Sequence, residues 1–144
     1  MSEKMDTEEV IRSLTEVLRL QGRSLLLMTL LAGSMGGVLG TALKPSLRSF
    51  VADELTDTYQ LVEKMSALGG NPSFDVASVE VNSSSTKALT QLLDNEQAAV
   101  AGLHEVIAHS GQEPHSEALE HLLEHMIMRK QSQVDFLVHA TRAD

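Results

Sequence analysis

Four stretches of the chain repeat apolar residues every three to four positions, and each repeat is broken by a polar residue near its middle. That spacing keeps one face of a helix apolar and little else does, so the chain must bury four helical stripes against one another. The first stripe runs Val10/Ile11, Leu14, Val17/Leu18, Gln21, Leu25, Met28 and Leu31/Ala32. The second runs Leu47, Phe50/Val51, Glu54, Asp57/Thr58, Leu61, Met65 and Leu68. The third is Leu89, Leu92/Leu93, Glu96, Val100, Leu103 and Val106/Ile107, and the fourth runs Leu119, Leu122/Leu123, Met126, Lys130, Gln133/Val134 and Leu137.

Start and stop signals set the expected helices at about 7–32, 46–68, 84–109 and 115–141. Thr7 reads as an N-cap with Glu8 and Glu9 in the first turn. Gly69-Gly70 with Pro72 beyond stops the second helix. The glycine-rich stretch from Gly33 to Pro45 reads as a turn region, with a helical part as the alternative, and "HSGQEP" separates the last two helices. The longest connection, "NPSFDVASVEVNSSS", lies between the second and third helices. Short links join antiparallel neighbours and a long one can run the length of a bundle. The expected fold is therefore all-α, one domain over 1–144: an antiparallel four-helix bundle with one long crossover between its second and third helices.

Composition agrees with packed helices. The chain is 42% hydrophobic but holds no Trp, one Tyr and three Phe, so its core must be aliphatic. Cysteine is absent, which excludes disulfides, thiolate nucleophiles and cysteine metal sites, and fits a cytoplasmic location. The formal charge of −9 disfavours a phosphate backbone, so nucleic acid is not an expected partner. The acidic start "MSEKMDTEEV" lacks the apolar run of a signal peptide.

A membrane anchor needs separate consideration, because Ser24 to Leu43 carries no charge and includes the small-residue steps Gly33/Gly37 and Gly36/Gly40. Glycine density rises sharply after Ala32, so a buried helix end followed by a connection is the expected reading. "LLLMTLLAG" also has more apolar faces than one core stripe needs. It is expected to pack against another subunit, giving at least a homodimer.

Polar residues at the same depth on four facing helices point to one polar centre. They are Gln21, Glu54 with Asp57, Glu96, and Lys130 with Gln133. A buried carboxylate without a partner costs several kcal/mol, so these groups must meet one another, water or a metal.

Three stretches carry a family resemblance: "ADELTDTYQLVEKMSALGGNPSF", "LLDNEQAAVAGLHEVI" and "QVDFLVHA". The chain resembles the ferritin-like superfamily of bacterioferritins, ferritins and miniferritins over most of its length. In the di-iron branch of that family, the first and third helices each give one Glu. The second and fourth each give Glu-x-x-His. Carried over by the resemblance, Gln21 stands where the first helix would offer Glu. Glu54 matches, Asp57 replaces a His, and Glu96 matches. Lys130 stands for a Glu and Gln133 for a His. Bacterioferritins hold haem through a Met directly after the second helix's Glu; Leu55 occupies that position, so haem gains no support.

Two iron ions need several carboxylates to balance their charge and imidazoles to complete their coordination. A lysine ammonium in place of a carboxylate puts a positive charge where a metal would sit. Lys130 is thus expected to substitute for the metal, offsetting Glu54, Asp57 or Glu96, while Gln21 and Gln133 supply hydrogen bonds. No cofactor is expected from this set. The alternative is iron or another divalent metal on Glu54, Asp57 and Glu96.

One further motif is formally metal-like. "HLLEH" places His121 and His125 four residues apart with Glu124 between, the order of an inverted zinc protease motif. Leu122, Leu123 and Met126 beside them assign the histidines to a solvated face, with adventitious Zn²⁺ or Ni²⁺ as the alternative. No phosphate-binding loop and no Ser/His/Asp set is present. The favoured function is a non-enzymatic ferritin-like protein whose di-iron centre is largely lost. A reduced-site metal protein with weak ferroxidase or storage chemistry is the first alternative, and a miniferritin-type DNA protector the second.

Overall fold

In a computed structural model, which describes residues 4–142, the chain forms four α-helices. They are α1 (Thr7–Ser34), α2 (Gly37–Ala67), α3 (Ser85–Ala108) and α4 (Pro114–Thr141). The acidic start and the last two residues of the expected domain lie partly or wholly outside the described residues.

Local signals account for most helix ends. Asp6, one residue before the expected cap, accepts a hydrogen bond from the Glu9 amide at 3.3 Å and caps α1. Ser84 caps α3 through the Lys87 amide. At the end of α2, the Gly70 amide donates to the Met65 carbonyl and the Gly69 amide to the Ser66 carbonyl, both a short step past the cap. Pro114 opens α4, where its missing N–H would have no helical partner.

The start of α2 corrects the expected boundary at 46 and the expected turn over 33–45. The break between α1 and α2 is only Met35 and Gly36, and helix resumes at Gly37. Two glycines make so short a reversal feasible. Gly37 adopts a positive φ of 74°. A Cβ on Gly40 would sit 2.8 Å from the Met35 carbonyl carbon, so the turn closes only around a residue without one. Pro45 lies inside α2 on its exposed side, where solvent can reach the Thr41 carbonyl that loses its donor. The uncharged stretch 24–43 is therefore split across a turn. No helix among the described residues is long and apolar enough to cross a membrane.

Side-chain and backbone partners give the topology. Asn95 meets Leu20 and Ser24, and Gly102 meets Val17, so α3 runs antiparallel to α1. Phe50 stacks edge-on against Phe136 at 5.3 Å while Glu54 meets Lys130, so α2 and α4 are likewise antiparallel. The crossover between α2 and α3 lies across the outside of α1. There Val76 and Phe74 press on Gly22, whose Cβ would be 2.8 Å from Val76 Cγ2. Val79 and Val81 pack on the core, and the Glu80 carbonyl accepts a hydrogen bond from Gln91 at 2.9 Å.

Two apolar clusters fill the bundle. One gathers Val10, Leu14, Val17, Leu61, Met65, Leu103, Leu119 and their neighbours. The other gathers Leu27, Leu31, Leu47, Leu89, Leu92, Leu137 and theirs. The polar residues of the four stripes lie between them in sequence on every helix, a polar layer between two greasy halves.

Candidate functional site

The layer is built from one short stretch on each helix, because each presents its polar residues in phase with the buried stripe. Gln21, Glu54, Asp57, Glu96, Lys130 and Gln133 are all buried, with Glu54, Glu96 and Lys130 no more than 2% exposed. Lys130 Nζ contacts Glu54 Oε1 and lies 2.8 Å from Glu96 Oε2, joining α4 to both α2 and α3. Gln133, one turn further along α4, donates its amide hydrogens to Glu54 Oε1 at 2.9 Å and Glu96 Oε2 at 3.1 Å. The Ser24 hydroxyl donates to Glu96 Oε1. Asn95 Nδ2 holds Ser24 in turn, at 2.7 Å from its Oγ and 3.1 Å from the Leu20 carbonyl.

Asp57 does not join the lysine. Its carboxylate is gripped by both Arg129 Nε (3.1 Å) and the Arg129 guanidinium NH₂, a forked pair at the edge of the layer with the arginine partly exposed. Gln21 also stands apart: its Nε2 donates to Thr58 Oγ1 at 3.2 Å, and that hydroxyl donates back to the Glu54 carbonyl at 2.7 Å. Gln21 Oε1 and Glu54 Oε2 find no hydrogen-bond partner among the described residues.

Charge balance explains the ionisation. One ammonium faces two carboxyl groups in a medium that tolerates no net charge. Burial pushes the Glu54 carboxyl up to about 8; the Lys130 ammonium opposes that shift and the neighbouring Glu96 carboxylate reinforces it. At neutral pH Glu54 therefore keeps its proton, which belongs on Oε2 because Oε1 already accepts two donors. Burial by itself would strip the proton from Lys130, yet Glu96 and Glu54 overcome it and hold the ammonium above its usual 10.5.

Ser24, Thr58, Asn95 and Arg129 were not singled out by the periodicity as members of the centre. Ser24 follows Gln21 by one helical turn and faces inward in place of Leu25, which is only half-buried, so that Leu27 rather than Leu25 continues the core. Thr58 shares its stripe position with Asp57, and Asn95 and Arg129 each adjoin a stripe residue in sequence. Adjacency alone gives no reason to recruit a side chain into a neighbouring layer. His121 and His125 lie on the exposed side of α4; His121 Nδ1 is 3.8 Å from Glu124, and no third ligand joins them among the described residues. Among the described residues, no group of three or more His, Asp or Glu side chains is disposed to hold a metal ion.

The ferritin-like domain profile matches residues 11–142. This is a ferritin-like protein. A crystal structure of a ferritin-like, diiron-carboxylate protein from Bacillus anthracis strain Ames superposes on it with a TM-score of 0.87. The two share 22% identity, over 95% of this chain and 98% of that one, which establishes a common fold. No curated protein sequence matches the chain.

The residues present in this ferritin-like protein do not fit a di-iron centre. The nitrogen of Lys130 lies between Glu54 and Glu96, the two glutamates that would have to hold a metal ion, and brings its own positive charge there. Asp57 is committed to Arg129, and the positions of the two family histidines hold that aspartate and Gln133. The centre ties three helices together electrostatically.

Proposed function

We propose that this is a non-enzymatic ferritin-like protein in which a lysine ammonium does the structural work of the metal ions. Its function then resides in its surfaces, as a homo-oligomer or a partner-binding bundle. The observation that carries this reading is Lys130 Nζ seated between Glu54 Oε1 and Glu96 Oε2. A bound cation at that point would face direct repulsion from a charge that burial cannot remove while both glutamates flank it.

The metal-binding reading on Glu54, Asp57 and Glu96 is disfavoured by the same geometry, because two of the three carboxylates are held by Lys130 and the third by Arg129. A DNA-protecting role is disfavoured by the net charge of −9. A cytoplasmic location, in keeping with a chain without cysteine, belongs to the same proposal.

The deciding experiment loads purified protein with Fe²⁺ under air, removes unbound metal and measures iron per chain together with the mass in solution. The expected result is well below one iron per chain and a mass of at least two chains. Two irons per chain would overturn the proposal, and a salt-dependent shift of duplex DNA would revive the protective reading.

A further inference from the structure

We infer that the end of the bundle formed by the α1–α2 turn docks on an anionic lipid surface, dipping Val38 and Leu39 into the headgroup layer without crossing the bilayer. This goes beyond the reading above and rests only on its premise that the bundle acts through its surfaces. Val38 is 91% and Leu39 42% exposed. Their exposed neighbours Gly36, Gly37, Thr41 and Ala42 carry no charge. Gly40 closes on Met35, so residues 36–39 round the turn, and the exposure of Val38 makes it a projecting point rather than the wall of a groove. A projecting apolar point leaves water only by entering a soft apolar medium or a matching hollow.

Cations surround the tip. Met35 and Leu43 pack with Ala88 of α3 and Ala140 of α4, which puts the start of α3 and the end of α4 at the same end of the bundle. The half of the bundle nearest the tip, residues 24–52, 81–93 and 136–142, contains Lys44, Arg48, Lys87 and Arg142 but no carboxylate. None of these cations forms an ion pair among the described residues. Lys44 lies about 9 Å behind Val38 along α2, comparable with the depth to which apolar groups sink at a membrane interface. The opposite end gathers the carboxylates of Glu8, Glu9, Glu63, Glu105, Glu113 and Glu117. A chain of net charge −9 is thus polarised along its length, and a negative surface turns its basic end inward. Charge complementarity selects the lipid as occupant. A second copy seated tip to tip would meet its own cations, and a DNA duplex offers phosphates but no apolar layer for Val38 and Leu39.

Co-sedimentation with vesicles of phosphatidylcholine, alone or mixed equally with phosphatidylglycerol, tests the docking. The native chain is expected to pellet with the mixed vesicles, to leave the neutral ones unbound, and to be released by high salt. Val38→Asp and Lys87→Glu should each lower binding by about tenfold or more. Met128→Asp, at an apolar position exposed on α4 away from the tip, should leave it unchanged. The chain holds no Trp, so Val38→Trp supplies a single reporter. Its emission should shift to the blue on anionic vesicles, and that of Met128→Trp should not. Circular dichroism checks that each variant remains helical. No binding to the mixed vesicles, equal binding to the neutral ones, or binding that survives Val38→Asp overturns the docking. A mass in solution that falls on Val38→Asp assigns the tip to a second copy and overturns it as well. None of these outcomes bears on the metal-independent centre, which the iron-to-chain ratio decides separately.

Discussion

Lys130 Nζ on α4 lies 2.8 Å from Glu96 Oε2 on α3, and both side chains are all but sealed from solvent. The pair closes a cation-carboxylate contact in the polar layer between the two apolar clusters. Removing the lysine leaves the anion stranded. Lys130→Met is therefore expected to destabilise the bundle by about 3 kcal/mol at neutral pH, the lower range for breaking a buried pair. Adding Glu54→Gln and Glu96→Gln to the same variant should recover much of the loss, because a neutral layer of similar volume has no unpaired charge. Urea unfolding at neutral pH checks both statements, and an unchanged midpoint for Lys130→Met would count against an interior ion pair.

The proton on Glu54 makes a pH prediction with a definite sign. Its carboxyl holds the proton more tightly in the folded protein, about 8, than at its ordinary 4.5. The stability from this group is complete below pH 4.5 and is lost as pH rises through about 8. Lys130 is raised above 10.5, so its contribution persists across that window and disappears only at still higher pH. Melting temperature is therefore expected to fall between pH 5 and 9. Glu54→Gln, which imitates the protonated acid, should flatten that slope. A wild-type melting temperature that climbs over the same interval would refute the assignment.

Rebuilding the family ligands should exchange the lysine for metal. Gln21→Glu, Asp57→His, Lys130→Glu and Gln133→His together supply four carboxylates and two imidazoles. Two irons per chain and measurable Fe²⁺ oxidation are expected, read by metal analysis and by the absorbance of the ferric product. The quadruple variant without metal should be markedly less stable than the native chain, since its carboxylates then lack a cation. Added divalent metal should restore its melting temperature.

Gly22 is predicted to be intolerant of even a methyl group. At an open helical position Gly→Ala stabilises by about 1 kcal/mol, and Gly33, with nothing within 4 Å, offers that control. At Gly22 the new Cβ would press on Val76 at 2.8 Å and Phe74 at 3.0 Å, so the crossover must lift from α1. Gly22→Ala should lose about 1 kcal/mol net and accelerate proteolysis within 68–84, whereas Gly33→Ala should do neither.

The periodic stripes of α1, α3 and α4 were legible because burial on one helix face depends on spacing within the segment. The stop of α2 at Gly69-Gly70 was legible for a similar reason, since the Met65 and Ser66 carbonyls it satisfies belong to the last turn. The start of α2 was not. A glycine-rich run reads as loop from its propensities, and only the close approach of Gly40 to Met35 turns it into a two-residue break between long helices.

The same division holds in the centre. That Gln21, Glu54, Glu96, Lys130 and Gln133 lie on the inward faces of their helices follows from their phase on four stripes, which the sequence alone determines. Which of them bond to which is tertiary. Asp57 sits in phase with the others, yet Arg129, one residue from the stripe, reaches it across the bundle and withdraws it from the lysine. Ser24 and Asn95 enter through a bond between helices 71 residues apart in the chain. Phase is a property of each helix by itself. Pairing depends on distances between helices, and on the demand that buried charge be neutralised where it comes to rest.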